Sequence, residues 1–150
     1  MDYSSAVIIS PFSRPLRNGK RNPKEYCWWI EVIQSLKDKG LYVIQIGAPG
    51  EIQLTDDFRP GLKLKELAEL MLQCRTWIAV DNFMPHFGAL NKKPGIVLWG
   101  KSDPLIFGHS QNHNLLKSRS FLRKNQFGIW EEEEYSPDVF VAPEEVISYV

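Results

Sequence analysis

Four short apolar runs recur along the chain, and each is cut off by a residue that breaks regular structure. Residues 6–9 are Ala-Val-Ile-Ile, ended by Ser10-Pro11. Residues 41–46 are ended by Gly47-Ala48-Pro49-Gly50, residues 77–80 by Asp81, and residues 95–99 by Gly100. Runs of this length, rich in β-branched side chains and interrupted only at Gln45, predict strands buried on both faces. Between them the apolar spacing becomes helical. Tyr26, Trp29, Ile30, Ile33 and Leu36 mark a helix that begins at Pro23, with Asn22 as its cap, and closes at Gly40. Leu64, Leu67, Ala68, Leu70 and Met71 mark a second, and residues 85–90 a short third. Beyond Gly108 the pattern weakens: residues 127–130 read as a strand, residues 131–134 as a solvated acidic run, and Pro143 as the start of a terminal helix. Strands alternating with helices predict a single α/β domain over residues 1–150, Rossmann-like, with a parallel sheet covered by helices on both faces.

Composition narrows the class. At 150 residues, 43% hydrophobic and 24% charged, the chain is long enough for one well-packed core and too apolar for disorder. No apolar run approaches the ~20 residues of a membrane span. The opening Met1-Asp2-Tyr3-Ser4-Ser5 lacks the basic start of a secretion signal, and the two cysteines, Cys27 and Cys74, build no disulfide framework. A reducing, cytoplasmic setting is expected. Net charge is zero but uneven, at +3 over residues 1–50 and −3 over residues 101–150. Arg14, Arg17, Lys20, Arg21 and Lys24 fall within eleven residues that contain no acid. Such a cluster alone reads as a solvated loop; its place after a strand and before a helix makes a local anion site an equal reading.

In a parallel sheet, ligands bind beyond the carboxyl ends of the strands. Four loops should meet there, spanning residues 11–22, 47–51, 81–86 and 100–109. The first offers Ser13 and the cations, which suit phosphate groups. The second gives close backbone approach and one carboxylate, Glu51, able to accept from ribose hydroxyls. The third puts Asp81 at a strand end and His86 in the first turns of a helix. Asp81 serves equally as a helix cap, and His86 as a core histidine. His109 and His113 have the spacing of a metal pair without a third ligand nearby, so no metal and no cofactor is expected. Nucleophile-elbow, P-loop and G-x-G-x-x-G motifs are absent, which excludes the common hydrolase, NTPase and NAD-dependent readings.

In order along the chain, these loops resemble the C-terminal, donor-binding half of the heptosyltransferase-like glycosyltransferases (glycosyltransferase family 9, GT-B architecture). Lys20-Arg21-Asn22-Pro23 is similar to that family's Lys-x-Trp-Pro, and residues 47–51 to its Gly-rich turn with a glutamate. Residues 78–94, which include Asp81-Asn82-Phe83-Met84-Pro85-His86, resemble its Asp-Ser-Gly-x-x-His segment. Residues 97–104 resemble its apolar strand followed by Gly and Ser-x-Pro. Asn22 stands for the tryptophan and Phe83 for the glycine. The resemblance implies half of a GT-B fold that binds a nucleotide-diphosphate sugar and transfers the sugar to a hydroxyl. It places Ser13 and Lys20 on the pyrophosphate and Glu51 on the ribose. Asp81, His86 and the amides of Asn82 and Phe83 fall on the sugar-phosphate side, with Asp81 and His86 catalytic and Asp103 a rival base. A GT-B enzyme also has an acceptor domain, which precedes this half, whereas here the first strand starts within ten residues of Met1. The readings are therefore a minimal transferase that self-associates, a non-catalytic nucleotide-sugar-binding module, or a subunit needing a separate acceptor chain. The abundant tryptophans, Trp28, Trp29, Trp99 and Trp130, are candidates for an interface. The acceptor implied by resemblance is a saccharide; Lys117, Arg119, Phe121, Arg123, Lys124 and Phe127 interleave cations with aromatics, which suits first a solvated amphipathic helix or hairpin and second a DNA acceptor with a hydroxylated base.

Overall fold

The computed structural model describes residues 2–150. Six strands, β1 (Ala6–Ser10), β2 (Tyr42–Gly47), β3 (Asp57–Pro60), β4 (Thr76–Val80), β5 (Ile96–Trp99) and β6 (His113–Leu116), form one sheet. Every pairing is parallel and the order is β3-β2-β1-β4-β5-β6, the arrangement of dinucleotide-binding folds. Five helices connect and cover it: α1 (Trp29–Asp38), α2 (Leu64–Gln73), α3 (Phe83–Leu90), α4 (Pro104–Phe107) and α5 (Pro143–Ile147).

The predicted central strands are those observed, and their alternation explains why the runs are continuous. Val7, Ile9, Ile78, Val80, Ile96 and Leu98 face α1 and the C-terminal segment. Ala6, Ile8, Ala79 and Val97 face the other layer, against Leu67, Leu70 and Met71 of α2 and Met84 of α3. Successive side chains of a strand point to opposite faces, so a strand covered on both reads as a nearly continuous apolar run.

Three expectations need correction. The first helix starts at Trp29, not Pro23, because residues 23–28 form turns. Asn22 caps only the local turn, accepting from the Lys24 N–H at 3.0 Å and donating to Arg14 O at 2.9 Å. Tyr26 is drawn into the core there, its hydroxyl donating to Val141 O at 2.8 Å. Residues 127–130 form no strand, and a 3-10 turn begins at Trp130. The third helix begins two residues early, with Asn82 as its cap.

Candidate functional site

Strand order reverses between β1 and β4, so the loops beyond their ends diverge and leave a crevice. Asn82 builds its floor. The side-chain amide donates to Ser10 O, Ser10 Oγ and Phe12 O at 3.0–3.2 Å, and its oxygen caps α3 through the Met84 N–H at 2.9 Å. Ser13 adds a second tie, its Oγ donating to the Asp81 carbonyl at 3.1 Å. Both polar side chains are thus consumed in joining the β1 and β4 loops. What Asn82 and Phe83 offer a ligand is backbone at the mouth of α3.

The crevice encloses about 790 Å³ and is lined by Ser13, Glu51, Asp81, Asn82 and Phe83, together with Arg14, Arg17, Lys24, Trp130 and Glu131. Lys20 is not among its walls; it lines an adjoining hollow of about 410 Å³ with Ser13, Arg21 and Glu51. His86 lines a third space of about 450 Å³, which Asp81, Lys24 and Trp130 share with the main crevice. The structure therefore brings six of the seven predicted residues to two cavities that meet at Asp81, and sets Lys20 beside them.

Glu51 is positioned from below. Gln45, wholly buried in β2, donates to Ile52 O at 2.8 Å and accepts from the Leu54 N–H at 2.6 Å. This pins the loop so that the Glu51 side chain folds back over Gly47, where a Cβ would collide with the carboxylate. Any larger residue at 47 would make the Glu51 carboxylate move aside. The buried Oε2 has no hydrogen-bond partner in the chain, and burial raises the carboxyl above its usual range. An acceptor in this position suits a ligand hydroxyl.

Asp81 is paired with Lys24, Nζ to Oδ2 at 3.2 Å, both side chains mostly buried. Lys24 in turn lies 5.1 Å from the centre of the Trp130 ring, which Arg123 stacks upon at 3.5 Å. Sequence reading placed Lys24 in the basic cluster but missed its role, and it read residues 131–134 as merely solvated. No local pattern links Trp130 to Lys24; only the return of the chain over the β1 loop does. His86 Nδ1 lies 2.9 Å from His109 Nε2, so His109 is the partner of His86 and not of His113, which packs on Tyr149. Among the described residues no three metal-ligating side chains converge.

Asp103 is engaged elsewhere. It caps α4 through the Leu105 N–H and takes both guanidinium nitrogens of Arg119 at 2.7–3.0 Å. Arg119 holds its carboxyl below the usual range. Two further cations of the interleaved stretch are similarly occupied: Lys117 donates to Asp138 O, and Arg123 to the carbonyls of Gln126, Gly128 and Ile129. Of the tryptophans, Trp29 and Trp99 are core, Trp28 packs against it, and Trp130 lines the crevice. No described helix is long and apolar enough to cross a membrane.

No family model matches the chain. Over 113 residues, 68% of its length, it is 28% identical to lipopolysaccharide heptosyltransferase 1 of Escherichia coli (strain K12), and it spans 35% of that protein. The fold superposes on E. coli heptosyltransferase WaaC with ADP at a TM-score of 0.61, with 20% identity, covering 74% of this chain and 37% of that one. It superposes on the dodecameric iron-containing heptosyltransferase TibC, in complex with ADP-D-β-D-heptose, at 0.59, covering 94% and 36%. In sequence over two thirds of its length, and in the six-stranded parallel fold that carries the crevice, the chain is similar to the heptosyltransferases.

Proposed function

We propose that this domain binds a nucleoside-diphosphate sugar and transfers the sugar to a hydroxyl acceptor. The observation that carries the reading is the switch-point crevice, where a carboxylate with a vacant acceptor atom (Glu51), a cation-rich turn and a second carboxylate (Asp81) line one space. In this reading Glu51 accepts from the ribose hydroxyls. The diphosphate lies between the β1 loop, with Ser13 and Lys20 at its edge, and the first-turn amides of Asn82 and Phe83, where the dipole of α3 favours anions. The acceptor oxygen attacks the anomeric carbon as the bond to phosphate breaks. Asp81 takes the acceptor proton, and the leaving diphosphate keeps the electron pair. Charge developing on that diphosphate is met by Lys24, which would shift from Asp81 toward it, and by His86 donating from the adjoining space.

The favoured acceptor is a saccharide hydroxyl; the DNA alternative is the less supported, since Lys117, Arg119 and Arg123 of its basic track make contacts within the chain. The acceptor side would come from a second copy, for which exposed Phe83, Leu105, Ile106 and Phe127 offer contact surface. One observation favours a second reading, a binding module without transfer: Asp81 is already neutralised by Lys24.

The test is to incubate the purified chain with ADP-, UDP- and GDP-sugars and a panel of saccharide acceptors. Released nucleoside diphosphate and product mass are followed. Glycosylated product that depends on Asp81 supports the enzyme; binding without product under all conditions supports the module; neither binding nor product overturns both.

A further inference from the structure

The acidic run that follows Trp130 does not hang in solvent. Its first residue, Glu131, lines the crevice, and the run is tied down on both sides. On one side Arg17 N–H donates to Glu131 Oε2 at 3.2 Å, and the Asn18 side-chain amide to Glu131 O at 3.3 Å. On the other, Lys101 Nζ reaches Glu133 Oε2 at 3.4 Å and donates to Glu134 O at 2.6 Å. Behind it, Arg123 is almost wholly buried and holds the carbonyls of residues 126, 128 and 129 while stacking on Trp130. The turn before Glu131 is therefore built, and the carboxylate it delivers points at the one stretch of the chain dense in cations.

A carboxylate received by a backbone N–H beside arginines is an anion in an anion site. The Arg17 N–H, and then the charges of Arg17 and Arg14, hold Glu131 below the usual carboxylate range. Arg14, Arg17 and Glu131 line the same crevice as Ser13, Glu51 and Asp81. Resting on the donor-site reading above, we propose that a donor phosphate binds at the Arg14–Asn18 turn, in the position Glu131 holds, and that Glu131 is a tethered competitor for it. The phosphate subsite thus centres on Arg14 and Arg17 more than on Lys20, which lines only the neighbouring hollow. A ligand must displace Glu131 to enter, which lowers its apparent affinity by the fraction of time the turn is open.

Titration calorimetry with ADP, UDP and GDP, and with the matching nucleosides, tests this on four proteins: wild type, Glu131→Gln, Glu132→Gln and Arg17→Ala. Glu131→Gln should bind a diphosphate about 3–10-fold more tightly than wild type, as expected when an internal competitor is removed, with nucleoside affinity unchanged. Glu132→Gln, the same charge change one residue along, should match wild type. Arg17→Ala should weaken diphosphate binding, again with nucleoside affinity unchanged. Equal diphosphate affinity in wild type and Glu131→Gln, or an equal gain in Glu132→Gln, overturns the competitor while leaving the donor site standing. No diphosphate binding by any of the four overturns the donor-site reading itself, and the competitor with it.

Discussion

Replacing Gln45 with leucine should loosen the site from beneath. Leucine keeps much of the volume in β2 but removes both halves of the amide, which bonds Ile52 O at 2.8 Å and the Leu54 N–H at 2.6 Å. Gln45 has no exposed surface, so the lost partners lie against an apolar side chain. Each unpaired backbone group costs about 1–3 kcal/mol. Ile52 is 70% exposed, so its end of the loop can swing out and recover water, which limits the total to about 2–3 kcal/mol. For a domain of this size that is a fall of roughly 5–10 °C in the unfolding midpoint. Urea denaturation should show a lower midpoint with unchanged slope. The loop that carries Glu51 should also lose its register, so ADP, UDP or GDP affinity should fall with the stability. A Gln45→Leu protein with an unaltered midpoint and unaltered nucleotide affinity would refute the claim that this buried amide positions Glu51.

Asp81→Asn should lower sugar transfer by about 10²-fold, the scale of a removed general base, while nucleoside-diphosphate affinity holds or rises because Lys24 is released; product and binding assays on the same preparation separate the two effects. Asp103→Asn should keep transfer within a few-fold of wild type and instead cost about 1 kcal/mol of stability through the Arg119 pair, as read by urea unfolding. Gly47→Ala should push Glu51 off its fold-back and weaken binding of the nucleoside as much as of the diphosphate, seen by calorimetry. Because burial raises Glu51 above its unfolded value, its protonated form is the one folding favours. That contribution is complete below about pH 4 and is lost as pH rises through the raised value, so Glu51→Gln should exceed wild type in stability at neutral pH and match it in acid.

The centre of the sheet was legible because burial on both faces writes itself as near-continuous apolar runs: residues 6–9, 41–46, 77–80 and 95–99 each match a strand to within a residue. The edges were not. β3 is Asp-Phe-Arg-Pro and β6 is His-Asn-Leu-Leu, short stretches with polar positions that neither period detects. Asp81 and Glu51 could be found because strand ends and glycine turns announce the crevice. The Lys24–Asp81 pair, the Arg123–Trp130 stack and the Glu131 contact could not, since each joins residues whose proximity only the assembled sheet creates. Asn22 misled because an Asx cap looks the same in sequence whether one turn follows or a whole helix does.

The C-terminal segment sets the order in which this molecule can assemble. Tyr26 meets Phe140 edge-to-face at 5.6 Å and hydrogen-bonds Val141, and Val146 and Ile147 seal the layer beneath α1. The strand at the middle of the sheet pairs with partners on both sides, including one about seventy residues downstream. More than half of the tertiary contacts are therefore distant along the chain, a topology that folds slowly and exposes its intermediates. During synthesis, β1, β2 and β4 emerge with α1 alone to cover one apolar face until residues 139–147 leave the ribosome. Those residues line neither cavity at Asp81, yet they complete the layer that backs the sheet from which the crevice loops spring.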